Sequence, residues 1–81
     1  MSNTPHELHE EFPDQVDAIH ELRQSNAHFA AMTDSYHTVN RAIHRAETDI
    51  EPTDDAHMVQ MRKERMALKD QIWAELSKAK A

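Results

Sequence analysis

The sequence predicts an all-α chain: an antiparallel two-helix hairpin, coiled-coil-like, that dimerises into a four-helix arrangement. Three observations carry this. Large apolar side chains recur every seventh residue at Leu22, Phe29, Tyr36, Ile43 and Ile50, with Leu8 on the same count and Gln15 as a polar interruption. Such spacing places one edge of a helix against a partner helix. The 81 residues include no glycine and only three prolines, which removes most routes to tight β-turns. Finally, the strongest internal breaker, Asp49-Ile50-Glu51-Pro52-Thr53, is short enough to force the helices on either side to run antiparallel.

Taken in order, residues 5–11 predict a short N-terminal turn. Pro13 suits a first helical turn, where its missing N–H costs nothing, and Asp14 and Asp17 complement the helix dipole. No breaker follows until residue 49. Helix one is therefore expected over about 13–48, some 54 Å long at 1.5 Å per residue. The loop is expected at 49–53, with Thr53 as N-cap and Asp54 and Asp55 in the first turn of helix two, which runs over about 54–78. Lys78 and Lys80 complement its far end. All of this forms a single domain over 1–81.

Folding about the loop opposes Ala46 to Met58, Ile43 to Met61, Val39 to Arg65, Tyr36 to Leu68 and Met32 to Ile72. The expected hairpin core is thus Phe29, Met32, Tyr36, Val39, Ile43, Met58, Met61, Leu68, Ile72 and Leu76. Arg65 is the misfit on this seam, its stem packing and its head reaching for water or an acidic partner. Helix two is too short to cover helix one, which leaves Phe12, Val16, Ile19 and Leu22 on an uncovered overhang. It also carries a second seven-spaced line, Val59, Met66 and Trp73. A two-helix packing buries only one edge, so both sets are expected to be interface residues of a homodimer or of an unknown protein partner.

Charge is divided along the chain. Residues 1–60 hold three basic and twelve acidic side chains, and residues 61–81 hold six basic and three acidic. The division favours antiparallel docking of the two segments. A net charge of −6 argues against nucleic acid as a partner, although the basic run Arg62, Lys63, Arg65 and Lys69 offers an alternative reading as a nucleic-acid-associated regulator. Cysteine is absent, which excludes disulfides, thiolate metal sites and cysteine nucleophiles. No apolar run approaches the roughly 20 residues that span a bilayer. A cytoplasmic location is the expectation.

No constellation supports catalysis. The serines lack a paired base and acid, and a thin hairpin encloses little water-excluding volume. His6, His9 and Glu10 have the i, i+3, i+4 spacing of a one-face metal site but fall one residue short of the zinc-protease pattern, and no metal or other cofactor is expected. His20, His28, His37 and His44 lie off the seam as surface residues.

The segments Asn26-Ala27-His28-Phe29, Tyr36 and Ile43-His44-Arg45-Ala46-Glu47, the loop Glu51-Pro52 with Asp54-Asp55, and above all Arg62-Lys63-Glu64-Arg65-Met66-Ala67-Leu68-Lys69-Asp70-Gln71-Ile72 resemble the small bacterial YdcH-like family. The resemblance covers roughly residues 6–77, departing at Met66, Gln71 and Trp73. It implies a short cytosolic helical hairpin of unassigned function with no catalytic residues to carry over. Arg65 and Asp70 belong to its most recognisable motif, where a structural ion-pair role is expected. The leading functional expectation is a non-enzymatic protein–protein interaction module.

Overall fold

A computed structural model describes residues 5–48 and 54–80, with the backbone alone for 79 and 80. Its described residues are all-helical, with no strand among them. The order is α1 (Leu8–Glu11), a 3₁₀ turn (Pro13–Gln15), α2 (Val16–Ser25), α3 (Ala27–Glu47) and α4 (Asp55–Lys80). The expected loop at 49–53, with Ile50 and the proposed cap Thr53, lies outside the described residues. Asp54, expected inside the first turn, instead caps α4: its Oδ1 accepts the His57 backbone N–H at 2.7 Å.

The continuous helix expected over 13–48 is divided. At Asn26 the backbone turns extended, with φ −138° and ψ 103°. The last bond of α2 runs from Asn26 N–H to Leu22 O at 2.8 Å. The Asn26 side chain then accepts the Phe29 N–H at 3.0 Å and starts α3. Asparagine is among the best N-cap residues because its short side chain reaches an otherwise unpaired N–H two or three residues on. A straight helix of about 54 Å is accordingly replaced by a body whose longest dimension is 41 Å.

The division lets α1, the 3₁₀ turn and α2 fold back as an arm. Leu8 and Ile19 of the arm join Phe29, Met32, Tyr36, Ile72 and Leu76 in one buried cluster, with Phe12, Leu22 and Leu68 packed against it. The expected overhang is therefore largely covered by the chain itself: Leu8 and Ile19 are buried, Phe12 and Leu22 partly so, and only Val16 remains exposed. The physical reason is that burying a large apolar side chain is worth about 1.5–3 kcal/mol, whereas a capped break in a helix gives up little.

A second cluster, Ile43, Ala46 and Met61 with Val39, Ala42 and Met58, lies at the other end of the α3–α4 contact. The pairing of high-numbered α3 residues with low-numbered α4 residues makes these two helices antiparallel. Phe29, Tyr36, Ile43, Ile72 and Leu76 are fully buried. Ile72→Ala should cost about 2–5 kcal/mol in urea unfolding. At low protein concentration, exposed Met66→Ala should change stability by less than about 0.5 kcal/mol.

Candidate interaction surface and the arm latch

Two features of this architecture bear on function. One is the outward edge of α4. Its Ile72 and Leu76 are sealed into the core, yet Val59, Met66 and Trp73 remain 49%, 66% and 50% exposed. A single helix is thus apolar on two sides, and only one of them is covered. Val16 on the arm is 45% exposed. Phe12, expected on a separate surface, is brought onto this edge: its ring stacks on Trp73 with centroids 5.7 Å apart and planes 7° from parallel. Lys69 Nζ lies 5.9 Å from the same Phe12 ring. Ile19, also expected at the interface, is instead core.

The second feature is the set of polar contacts that fastens the arm. Tyr36 donates its hydroxyl to His6 O at 2.6 Å, and Asn40 Nδ2 donates to Pro5 O at 2.8 Å. Two side chains of α3 thus receive consecutive main-chain carbonyls of the arm. His6 itself adopts φ 62°, a left-handed conformation that histidine tolerates better than most residues but still at a cost. Lys69 Nζ reaches Glu11 Oε1 at 2.8 Å, linking α4 to α1. Glu7 lies between His37 Nδ1 (2.8 Å) and Arg41 Nε (3.6 Å), the histidine contact being a close approach without the alignment of a directed hydrogen bond. At the corner, Arg23 bonds across to the Thr33 hydroxyl and to Asp34 Oδ1, the latter at 3.0 Å.

Charges elsewhere on α4 are mostly answered within the chain. Arg62 pairs with Glu47 at 3.0 Å. Arg65 donates to Asn40 Oδ1 at 3.0 Å. The structural ion pair expected for Arg65 is therefore replaced by a neutral amide, because Asn40, already bonded to the arm through its nitrogen, presents its oxygen to the seam. Asp70 is exposed, with no ion-pair partner among the described residues. A groove of about 340 Å³ between arm and α4 is lined by His6, Glu11, Tyr36, Arg62, Arg65, Met66 and Lys69.

The metal candidates His6, His9 and Glu10 do not converge. His6 Nδ1 faces Glu11 at 3.6 Å, and Glu10 Oε1 accepts the Glu7 N–H at 3.3 Å. Among the described residues no three His, Asp or Glu side chains could hold a metal ion. No described helix is long and apolar enough to cross a membrane.

The sequence did carry a signal for the latch. Phe12, Ile19, Asn26, Thr33 and Asn40 form a seven-residue line parallel to the apolar one, and its polar half is the part that turns the corner and grips the arm. Thr33 and Asn40 are fully buried. The arm's contacts also move two ionisable groups. The Lys69 ammonium bonded to Glu11 holds that carboxyl below the usual carboxylate range, against an opposing effect of burial, with smaller help from His6. Burial pushes the Tyr36 hydroxyl up to about 12; the Glu11 and Glu7 charges add to this and Arg65 opposes it.

A family model described as "Protein of unknown function (DUF465)" matches residues 29–75, more than half of the chain. The match begins within α3 and ends within α4, so the arm lies ahead of it. No curated protein and no solved structure matches the chain.

Both shifted groups have consequences for stability. Glu11 has a depressed folded pKa, so its contribution is present above the unfolded carboxylate range and is lost as pH falls. Lys69→Met should remove that acid-dependent loss from the amide exchange of α1. Tyr36 has a raised folded pKa, so its contribution is full below pH 10 and is lost as pH rises toward about 12. Because the chain has one tyrosine, phenolate absorbance should report this directly. Titration should occur near 12 in the folded protein and near 10 once unfolded.

Proposed function

The chain belongs to the DUF465 family, which includes the YdcH-like small proteins, and from that premise we propose that it is a non-enzymatic, cytoplasmic protein–protein interaction module. Its α3–α4 hairpin associates through the outward edge of α4, in the first instance with a second copy, giving a homodimer built around a four-helix arrangement. The observation that carries this reading is the exposed line Val59, Met66 and Trp73 on a helix whose neighbouring face is already core.

The edge is self-complementary. With a two-fold axis at Met66, an antiparallel partner α4 places Val59 of each copy opposite Trp73 of the other. The same geometry sets Asp70, exposed and without an ion-pair partner among the described residues, opposite Arg62 of the second copy, whose guanidinium has N–H groups beyond the one that meets its own Glu47. Opposite charges flanking an apolar strip fix orientation more than they add affinity. Burying the remaining exposed surface of three apolar side chains per copy contributes on the order of 1 kcal/mol each, which after the cost of association corresponds to a weak complex with Kd in the micromolar to millimolar range.

The alternative, a nucleic-acid-associated regulator using the basic face of α4, has less support. Arg62, Arg65 and Lys69 are engaged by Glu47, Asn40 and Glu11, so phosphate would have to displace partners already in place. A duplex oligonucleotide bound with steep salt dependence would favour it.

Sedimentation over a concentration series tests the leading reading. Wild type should pass from monomer to dimer between micromolar and millimolar concentration. Met66→Glu, folded at low micromolar concentration and concentrated without unfolding, should stay monomeric over the same series with its helix content unchanged, since Met66 is 66% exposed and lies outside both buried clusters. Equal self-association of the two proteins would overturn the proposal.

A further inference from the structure

We propose that Asn26 is a hinge at which the arm leaves its own chain and docks on a second copy, α2 and α3 fusing into one continuous helix. This arm exchange is a mode of association separate from the α4 edge and does not depend on it.

Four observations converge on it. First, the apolar heptad line runs through the corner in phase: Leu8, Gln15, Leu22, Phe29, Tyr36 and Ile43 keep seven-residue spacing, and each is buried or partly buried in the folded-back form. A line interrupted by a designed corner has no reason to keep its count, whereas a line that can straighten must. Second, the corner holds neither glycine nor proline. Gln24, Ser25, Asn26, Ala27 and His28 all tolerate a helix interior. Straightening would pair the Ala27, His28 and Phe29 N–H groups with the carbonyls of Arg23, Gln24 and Ser25. Third, the corner is uncovered: Gln24, Ser25, Ala27 and His28 are exposed, so straightening it displaces little buried surface there. Fourth, the connection between α2 and α3 is a single residue, and very short hinges invite exchange of an element between copies.

The occupant is a second copy because the seat is made for this arm. Beyond its apolar cluster, the seat offers the Tyr36 hydroxyl and the Asn40 amide to two consecutive main-chain carbonyls, and Lys69 to a carboxylate one helical turn further on. An identical arm restores all of these contacts. A foreign amphipathic helix has its carbonyls engaged in its own hydrogen bonds and cannot supply the first two. Reciprocal exchange also closes with two-fold symmetry, leaving no seat empty.

The hinge admits a discriminating substitution. Ala27 is the first residue of α3, where proline is favoured, and Asn26 before it already has the extended backbone that proline requires of its predecessor. Ala27→Pro therefore fits the folded-back form and forbids the fused helix, in which residue 27 would be interior. Asn26→Ala does the reverse, removing the cap and supplying the best helix former.

All variants are made on Met66→Glu, so that the α4 edge does not contribute. Each is unfolded, refolded at millimolar concentration, diluted and examined by size-exclusion chromatography with light scattering. The Met66→Glu protein should yield a dimer fraction. Asn26→Ala should raise this fraction, and Ala27→Pro should reduce it by at least about tenfold, given the penalty for proline inside a helix, while retaining cooperative unfolding.

The cysteine-free chain also permits spin labels at Asp17→Cys and Thr38→Cys, both exposed positions. With labelled chains diluted in unlabelled ones, the dimer should give an intrachain separation of about 32 Å, that of 21 residues of straight helix. The monomer should give a shorter one. A dimer fraction unaffected by Ala27→Pro, no dimer in either Met66→Glu or its Asn26→Ala variant, or a dimer retaining the monomer's label separation would each overturn arm exchange.

Discussion

One hydrogen bond organises this molecule: the Asn26 side chain accepting the Phe29 N–H. It converts an otherwise unbroken helical stretch into two helices meeting at a corner, and everything distinctive follows from that corner. Without it the arm would project past the end of α4, and Phe29, Tyr36, Ile72 and Leu76 would lose their cover. With it, the core at this end is built from three layers of helix rather than two. Arg23, reaching across to Thr33 and Asp34, braces the same corner from outside.

The seat on which the arm lands is polar where it meets backbone and apolar where it meets side chains. Tyr36 does both: its ring is buried in the core while its hydroxyl receives the His6 carbonyl. Asn40 joins three elements at once, donating to Pro5 of the arm and accepting from Arg65 of α4. A buried amide satisfied on both ends specifies register in a way that apolar contacts do not. The ends of α3 therefore serve different purposes: its first half positions the arm, and its second half packs against α4 alone.

Much of the fold was legible because helical periodicity reports burial directly. Phe29, Met32, Tyr36, Ile43, Met61, Ile72 and Leu76 were picked out by spacing alone, and all are buried. The heptad line also included Gln15 and Leu22, which do enter the interior. Periodicity is blind to whether a helix continues or turns a corner in phase, so the same evidence that found the core concealed the break. Asn26 has the side chain of a cap, but neither glycine nor proline stands beside it to mark a boundary. Arg65 illustrates a second limit: its partner was sought among acids, whereas the side chain across the seam is an amide freed to accept by its own bond to the arm. The exposed edge of α4 needed no structure to find. Its union with Phe12 did, since nothing in the linear spacing brings residues 12 and 73 together.

The arm's contacts join residues far apart in sequence: Tyr36 to His6 across 30 positions, Asn40 to Pro5 across 35, and Lys69 to Glu11 across 58. Closing such long loops is slow compared with pairing two neighbouring helices. Chain order sharpens this during synthesis. The arm leaves the ribosome ahead of α3 and α4, yet half of its apolar seat belongs to α4, which follows α3. Leu8, Phe12, Ile19 and Leu22 must therefore wait uncovered while the rest of the chain is made. The arm is translated before its seat and docks only after it, and on a crowded polysome it waits beside identical arms from neighbouring ribosomes.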